Sequence, residues 1–351
     1  MDIYNSKLWE EDIDCVLAHN PWIEGLTGKS VLITGIGGLI CSAVADILIR
    51  FNETKNGNVT ILAAARSGQK IRERFGKYAE RQYFQFVPYE ATKAEVNIPF
   101  FVDYIIHGAS NASPAIISRE PVETMISNFT GLLGLLKYGQ ENGTKRLLYI
   151  SSSEIYGKKE SSEPFKEGEY GYIDLLNPRN SYSVGKRAAE TLCASFSSEY
   201  GIETVIVRPG HIYGPTASKK DNRVSSAWAY AVANGEDIVM KSDGAQIRSY
   251  CYCLDCAAAI LAVLLKGENT CAYNISNPNS IISIREMAEV LTRSGQVNLK
   301  LELPSEEERK SFNPMSNSSL DPSSLLALGW KGCFDAQTGF SHTVQILKES
   351  L

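Results

Sequence analysis

The chain has 351 residues, of which 44% are hydrophobic and 21% are charged, proportions typical of a globular protein with a full core. A formal net charge of −5 and the lack of a dense basic run argue against nucleic-acid binding. No apolar run is long enough for a membrane span, and the polar N-terminus lacks the features of a signal peptide, so we expect a cytoplasmic protein with no membrane partner.

The predicted elements begin with a helix. Trp9, Ile13 and Val16 recur at helical spacing within residues 1–28, which indicates an N-terminal extension with a docked helix. Short apolar runs then alternate with helical patterns. We predict strands at 29–34, 59–64, 83–87, 103–107, 146–151 and 203–208, and helices at 39–51, 122–142 and 181–200. This alternation indicates an α/β fold, a Rossmann-type doubly wound parallel sheet covered by helices on both faces.

The pattern becomes irregular after Pro215. Short strands are predicted near Ile238 and Arg248, and helices near Ala227, Ala257 and Ile284. We therefore divide the chain into the extension (1–28), an α/β domain (29–212) and a smaller, mainly substrate-binding lobe (213–351). An interleaved arrangement of the last two parts is left open.

Three of the eight cysteines, Cys251, Cys253 and Cys256, lie close together in the sequence. Residues 250–254 are predicted to form a strand, so Cys251 and Cys253 would share one face as small core residues. No second ligand pair and no nearby histidine accompany them. We therefore expect no metal site there.

A glycine-rich turn follows the first predicted strand. The sequence there reads Thr34-Gly35-Ile36-Gly37-Gly38-Leu39-Ile40-Cys41. A pyrophosphate needs backbone N–H groups at close range and the positive end of a helix, and glycine allows that approach. Gly35 and Gly38 have the required spacing, whereas Cys41 stands at the third glycine position. Between a strand and a helix, this turn predicts that residues 29–212 bind a dinucleotide.

The end of the second strand bears on the choice of dinucleotide. An acidic residue there would hydrogen-bond the ribose hydroxyls of NAD, but Arg66 follows the strand instead. Its guanidinium could bind a 2′-phosphate through two hydrogen bonds. The sequence therefore favours NADP, with NAD also open.

A phenol and an ammonium are combined in the long predicted helix. Tyr182 and Lys186 are four residues apart and so share a face. A free tyrosine has a pKa near 10, and lowering it by three units takes roughly 4 kcal/mol. A nearby ammonium together with an oxidised nicotinamide would stabilise the phenolate. With a hydroxyl at the preceding strand end, Ser152, the pair predicts a general-base site.

These motifs together resemble the extended short-chain dehydrogenases/reductases that act on nucleotide-activated sugars, namely epimerases, 4,6-dehydratases and UDP-glucuronate decarboxylases. The resemblance covers about residues 28 to 290. It rests on Thr34–Gly38, His107–Pro114, Asn128, Ser151–Gly157, Tyr182 with Lys186, Arg208–Pro215, and Arg248–Tyr250 followed by Asp255.

The resemblance implies catalytic roles. Ser152 would orient the sugar hydroxyl, Tyr182 would remove its proton, Lys186 would support the phenolate and touch the nicotinamide ribose, and Glu154 would be an acid near the sugar ring. Tightly bound NAD(P) would contact Gly35, Gly37, Gly38, Leu39, Ile40, Arg66, Ala109, Ser110, Tyr182, Lys186 and Pro209. The substrate, a nucleotide-diphosphate sugar or polyol, would contact Ser113, Ser153, His211, Arg223 and Arg248.

Two further expectations concern how the substrate diphosphate is bound and which oligomer the chain forms. Arg248 falls where the family holds the substrate diphosphate, and Arg223 would assist it. The resemblance also implies a homodimer through a four-helix bundle, built from the helix at 122–142 and the helix bearing Tyr182. We interpret the apolar stripe of Leu132, Leu133, Leu135 and Leu136 as core plus this helix-pairing face.

The implied reaction is a transient oxidation to a ketone. Return of the hydride to the opposite face gives an epimer, loss of CO₂ gives a pentose, and loss of water gives a deoxy sugar. Many dehydratases carry an Asp-Glu pair where Ser153-Glu154 stands, although decarboxylases and GDP-mannose dehydratases carry Ser-Glu. We expect an epimerase, with a decarboxylase nearly level. A 4,6-dehydratase, an epimerase of a nucleotide-activated sugar alcohol, a net keto-reductase and a non-catalytic dinucleotide sensor are left open.

Overall fold

The computed structural model describes residues 2–302, 304 and 315–351. The strands are β1 Ser30–Thr34, β2 Thr60–Ala65, β3 Phe84–Pro88, β4 Tyr104–His107, β5 Arg146–Ile150, β6 Glu203–Pro209, β7 His211–Tyr213, β8 Ile238–Met240, β9 Ile247–Tyr252, β10 Ala272–Ile275, β11 Ile281–Ser283 and β12 Leu299–Leu301. The helices are α1 Lys7–His19, α2 Leu39–Lys55, α3 Gly68–Phe75, α4 Pro114–Arg119, α5 Pro121–Asn142, α6 Ser181–Tyr200, α7 Val224–Ala233, α8 Cys253–Lys266, α9 Ile284–Gly295, α10 Ser323–Ala327 and α11 Ala336–Ser350.

Seven strands form one parallel sheet in the order β3-β2-β1-β4-β5-β6-β10. The prediction of a Rossmann-type α/β fold is thus confirmed. The strand order reverses between β1 and β4, where sheets of this kind leave a crevice at their carboxyl ends. The last strand, β10, comes from the C-terminal part of the chain, which therefore contributes to the main sheet.

Helices cover both faces of the sheet, because strands such as β1 carry apolar side chains on both sides. Its residues are apolar without interruption, and alternate side chains point to opposite faces. Val31 and Ile33 join the core that includes α2 and α8, whereas Leu32 joins the core on the side of α5 and α6. The predicted N-terminal helix is also confirmed, since α1 buries Trp9 and Val16 in the first of these cores.

Helix α8 corrects one prediction. Strand β9 ends at Tyr252 and α8 begins at Cys253, so the prediction that Cys253 continues the strand and shares its face with Cys251 was wrong. Residues 253–264 are all buried. A helix packed on every side has no polar face, so hydrophobic periodicity cannot separate it from a buried strand.

Helix α5 divides its apolar residues between core and surface. Leu132, Leu135 and Leu136 are buried against the sheet, so most of the predicted stripe belongs to the core. About one to three turns earlier, four apolar side chains are exposed: Val122, Met125, Ile126 and Phe129. Within the ranges that the structure describes, no helix is both long and apolar enough to cross a membrane.

Candidate active site

The glycine turn lies at the carboxyl end of β1. Gly35 has a φ of +68°, and a Cβ on it would stand 2.9 Å from the backbone of Gly108, so both the backbone angle and the close approach call for glycine. Gly38 is the N-cap of α2 and has no side chain that could accept hydrogen bonds from the N–H groups of the first turn. The N–H groups that begin α2 are therefore available to an anion, which is the arrangement that a pyrophosphate requires.

A threonine hydroxyl connects this turn to the end of β4 through hydrogen bonds, a role that no sequence motif indicated. Thr34 Oγ1 accepts hydrogen bonds from the backbone N–H groups of Gly108 and Ala109, both at 3.2 Å, and lies 2.7 Å from His107 Nδ1. Burial, and then the charge of Lys186, lower the pKa of His107 to about 3. The imidazole is therefore neutral, and the loop after β4 is fixed beside the turn.

The third glycine position of the turn holds Cys41, which is buried. Its Sγ occupies space beside Gly108, because a Cβ built on Gly108 would stand only 2.4 Å from that sulfur. Burial raises the pKa of the Cys41 thiol to about 12, so the side chain is a neutral packing group. The close approach that a glycine at position 41 would give is supplied instead by the glycine at position 108.

The phenol and the ammonium lie together at the carboxyl end of β5. Helix α6 presents Tyr182 and Lys186 on one face, and the Lys186 Nζ lies 5.6 Å from the centroid of the Tyr182 ring. Nζ also donates a 2.7 Å hydrogen bond to Ile150 O at the end of β5. The Ser152 hydroxyl lies close enough to the Tyr182 phenol to lower its pKa, and it accepts a 3.2 Å hydrogen bond from the backbone N–H of Glu154. The structure thus brings together three of the predicted catalytic side chains.

Burial perturbs both ionisable groups of this cluster. Burial, and then the Glu154 charge, raise the pKa of the Tyr182 phenol above its ordinary value, against smaller opposing effects of Ser152 and Arg223. Burial lowers the pKa of the Lys186 ammonium to about 7. Removing either group from water disfavours its charged form. The protein alone therefore does not stabilise the phenolate, and an additional positive charge beside Tyr182 is needed.

Glu154, the fourth predicted catalytic residue, lies at the mouth of the site and is exposed. Its Oε2 accepts a 3.4 Å hydrogen bond from Ser183 Oγ and lies 3.9 Å from Arg179 Nη1. A cleft runs outward from Glu154 between α6 and the segment after β5, lined also by Lys158, Asn177 and Ser183. Arg179, which the sequence analysis did not single out, stands within reach of the same carboxylate.

Three of the predicted substrate residues, His211, Arg223 and Arg248, follow β6 in the chain. His211 in β7 pairs with Tyr250 in β9. Its pKa is lowered to about 4 by surrounding protein atoms and then by the charges of Arg248 and Arg223, although part of the residue is exposed to solvent. Arg223 forms an ion pair with Asp221. The structure therefore places a neutral imidazole and two guanidinium groups near one another.

Arg248 is less exposed to solvent than an arginine on an open ligand-binding surface would be. It is 4% exposed, and its Nη1 donates to the backbone carbonyls of Ile247 and Met315, at 2.8 and 3.2 Å. These bonds fix the guanidinium in one orientation. A diphosphate would then meet a preorganised group.

The predicted cofactor residues lie around the crevice. Leu39 is buried and Ile40 half-buried at the start of α2, Gly37 is exposed in the turn, and Pro209 is buried at the end of β6. Ser110 donates a 2.8 Å hydrogen bond to Asn128 Oδ1. These positions fit a dinucleotide that crosses the crevice.

Two strand-end positions and one loop position complete the predicted set. Arg66 is exposed just beyond β2, two residues after Ala64, which pairs with Thr34. Ser113 is half-buried where α4 begins, and Ser153 is half-buried beside Ser152. All three side chains therefore lie at the carboxyl edge of the sheet or in the loops that leave it.

A buried arginine, Arg208, holds the segment that follows β5, and the sequence indicated it only as part of a motif. Its Nε and Nη2 donate to the two carboxylate oxygens of Glu190, at 3.1 and 2.7 Å. It also donates to the hydroxyls of Tyr156 and Tyr170 and to the carbonyl of Glu167. Arg208 therefore holds the segment after β5 onto α6 rather than binding a ligand.

Comparisons with known proteins agree with this geometry. A profile of the NAD dependent epimerase/dehydratase family matches residues 31–276. UDP-glucuronic acid decarboxylase 6 of Arabidopsis thaliana is 31% identical over 263 residues, which cover 74% of this chain and 73% of that protein. UDP-glucuronic acid decarboxylase 1 of Xenopus tropicalis is 27% identical over 328 residues, which cover 92% of this chain and 73% of that protein.

A solved structure provides a comparison of the fold. UDP-glucuronic acid 4-epimerase from Bacillus cereus, in complex with UDP-glucuronic acid and NAD, superposes with a TM-score of 0.74 at 19% identity. The match covers 92% of this chain and 100% of the other. At that identity the likeness concerns the fold, including the parallel sheet and the crevice at its carboxyl edge.

Proposed function

Because the chain belongs to the NAD dependent epimerase/dehydratase family, we propose that it is an NAD(P)-dependent epimerase of a nucleotide-activated sugar. The observation that carries this proposal is the cluster of Ser152, Tyr182 and Lys186 beside the glycine turn. With oxidised NAD(P) as the hydride acceptor, a hydroxyl, a phenol and an ammonium would be the only protein groups needed to oxidise a sugar hydroxyl reversibly, and epimerisation requires no further acid or base.

The residues at the crevice fit a dinucleotide. The cradle of Gly35 and Gly38 with the first turn of α2 would hold the pyrophosphate. NAD(P), when bound, would supply the hydride acceptor and, in its oxidised form, a positive charge. Arg66, exposed beyond β2, supports NADP over NAD, and comparative titration of the two dinucleotides tests this preference. Tenfold tighter binding of NAD would contradict it.

The protein groups would act on one proton. Ser152 holds the substrate hydroxyl, and the Tyr182 phenolate accepts the proton from it. Lys186, anchored on Ile150 O, supplies charge to the phenolate from one side of the ring. Because the pKa of Lys186 is lowered to about 7 by burial, the phenolate depends on the second positive charge that the oxidised nicotinamide brings.

Decarboxylation is the second candidate, since the curated relatives described above are UDP-glucuronic acid decarboxylases. A ketone next to a carboxyl-bearing carbon loses CO₂ without another base, so the same three groups would serve. Arg179, 3.9 Å from Glu154, would be available to a substrate carboxylate. Dehydration has less support, because Ser153 stands where an elimination pair would have its second acid.

The test is product analysis by NMR on a panel of nucleotide sugars, hexuronates and nucleotide-activated polyols. An epimer with no net change in reduced cofactor supports the proposal, and a pentose with CO₂ supports the second candidate. Tyr182→Phe should abolish turnover and leave dinucleotide affinity within about threefold. Tyr200→Phe, the same change at an exposed site on the same helix, should be silent. Undiminished turnover in Tyr182→Phe would refute the mechanism.

A homodimer belongs to the same proposal. The exposed side chains on α5 at positions 122, 125, 126 and 129 follow i, i+3, i+4, i+7 spacing, which forms one apolar stripe on a helix. Such a stripe suits pairing with α6 and the same helices of a second copy. Sedimentation should give a dimer for the parent chain and a monomer for Phe129→Glu. A monomeric parent chain would exclude the four-helix bundle.

A further inference from the structure

A group of sulfur and nitrogen ligands lies outside the active site, where α1 meets the loop between α10 and α11. Cys15 and His19 stand one turn apart on α1, and Cys333 lies in the loop. The three ligand atoms all lie within 4.8 Å of one another. We propose that Cys15, His19 and Cys333 bind a thiophilic divalent metal ion of the Zn²⁺ class.

The distance between the sulfur and nitrogen ligands on α1 agrees with tetrahedral coordination of one metal ion. With Zn–S bonds of about 2.3 Å and Zn–N bonds of about 2.05 Å, a tetrahedral ion places sulfur and nitrogen about 3.6 Å apart. Cys15 Sγ and His19 Nδ1 are 3.6 Å apart. The Cys333 Sγ lies within 4.8 Å of both of these atoms. The i, i+4 spacing on α1 thus presets two ligands, and Cys333 supplies the third.

The imidazole has one competing interaction. His19 Nδ1 lies 2.8 Å from Cys15 O, one turn earlier in the helix. Coordination through Nδ1 replaces this hydrogen bond and leaves the ring proton on Nε2. Because His19 is exposed, Nε2 can then hydrogen-bond water, so the exchange leaves no buried group unsatisfied.

The loop that carries Cys333 is held in place by groups other than the ligands. The N–H groups of Cys333 and Phe334 donate to the two carboxylate oxygens of Asp255, at 2.7 and 3.1 Å. Asn277 Nδ2 donates to Phe334 O at 2.8 Å and to Asp255 at 3.2 Å. The position of Cys333 is therefore set before an ion arrives, which reduces the entropic cost of binding.

The ligand types select the class of ion. Two thiolates and an imidazole suit Zn²⁺ and its analogues Cd²⁺ and Co²⁺, whereas Mg²⁺ and Ca²⁺ require oxygen ligands. Cys15 and Cys333 are partly exposed and His19 is exposed, so an ion can enter from solvent and a water can fill the fourth position. The bound ion would join α1 to the C-terminal loop and stabilise the folded chain.

The experiment titrates the reduced, metal-free full-length chain with Cd²⁺ and Co²⁺. We expect one ion per chain, a thiolate-to-metal charge-transfer band and a raised unfolding temperature. Cys15→Ser and Cys333→Ser should each weaken binding at least tenfold. Cys271→Ser is the matched control, because Cys271 is also a partly exposed thiol outside the group, and it should bind like the parent chain.

A second measurement uses the unmodified chain and so does not depend on how the variants fold. Zn²⁺ should protect Cys15 and Cys333, but not Cys271, from alkylation, as read by peptide mass spectrometry. Equal alkylation of all three thiols with and without Zn²⁺ would overturn the proposal. So would an unchanged charge-transfer band in the Cys15→Ser/Cys333→Ser double variant, or a Cys15–Cys333 disulfide that forms instead of metal binding.

Discussion

The contact between Cys41 and Gly108 allows a quantitative test of how this chain compensates for its missing third glycine. In Gly108→Ala the new Cβ would lie 2.4 Å from Cys41 Sγ and 3.0 Å from Ile150 Cδ1. Comfortable contacts between heavy atoms are about 3.5–4.0 Å, so the overlap with sulfur is about 1 Å. Gly108 does not require a positive φ, so the cost arises from packing and not from the backbone.

The magnitude follows from this overlap. Overpacking a well-filled core costs about 1–3 kcal/mol, and removing a glycine from the unfolded chain returns about 0.4–1 kcal/mol. We expect Gly108→Ala to lower the free energy of unfolding by about 2 kcal/mol, as measured by urea titration. Cys41→Ala alone should cost about 1 kcal/mol through lost burial.

The double variant Cys41→Ala/Gly108→Ala tests whether the two positions are energetically coupled. Removing Sγ makes room for the new Cβ, so Cys41→Ala/Gly108→Ala should be more stable than Gly108→Ala alone, with a coupling energy of about 2 kcal/mol. Gly168→Ala is the control, since its Cβ would have no atom within 4 Å, and it should change stability by less than 1 kcal/mol, roughly the range of exposed substitutions. Additive losses in the double variant would refute the reasoning.

Three other predictions concern buried charge and backbone conformation. Burial lowers the pKa of Lys186 to about 7 in the folded chain, against about 10.4 in the unfolded chain, so the unfolded chain binds more protons between these pH values. The parent chain should therefore gain stability relative to Lys186→Met as pH rises from 6 to 9.5. A stability difference that stays constant over this pH range would contradict the lowered pKa. Arg208→Met breaks a buried ion pair and should cost about 3–5 kcal/mol in urea titration, part of which Arg208→Met/Glu190→Leu should restore; an equal loss in both would argue against the pairing. Gly35→Ala should abolish dinucleotide binding in fluorescence titration, whereas Gly143→Ala, with a similar φ of +71° and no close atom, should lose stability but keep binding.

The regular elements around the site could be predicted from the sequence. The helix with Tyr182 and Lys186 spans Ser181–Tyr200 as predicted, and the strand ends that carry Thr34 and Ser152 lie within a residue or two of their expected positions. These elements are fixed by local patterns, namely apolar runs, helical spacing and a glycine turn. Their meeting at one edge follows because parallel strands share a direction.

Other features depend on tertiary packing that no local pattern carries. Cys253 begins a helix that is buried over residues 253–264, and such a mostly apolar run has the same pattern as a buried strand. The role of Thr34 depends on the loop after β4, 73 residues later. Cys15 and Cys333 come from opposite ends of the chain, so their sequence spacing could not indicate a shared ligand set.

The position of β10 has a consequence for how the chain is synthesised. Until Ala272–Ile275 leave the ribosome, β6 forms an open sheet edge, and α8, which is buried over 253–264 in the folded chain, does not yet cover the sheet. Open edges and exposed apolar helices promote association between nascent chains. A fragment that stops at residue 212 should therefore aggregate rather than form an isolated nucleotide-binding unit. The chain completes its sheet only when β10 pairs with β6 across a long sequence separation, which slows folding.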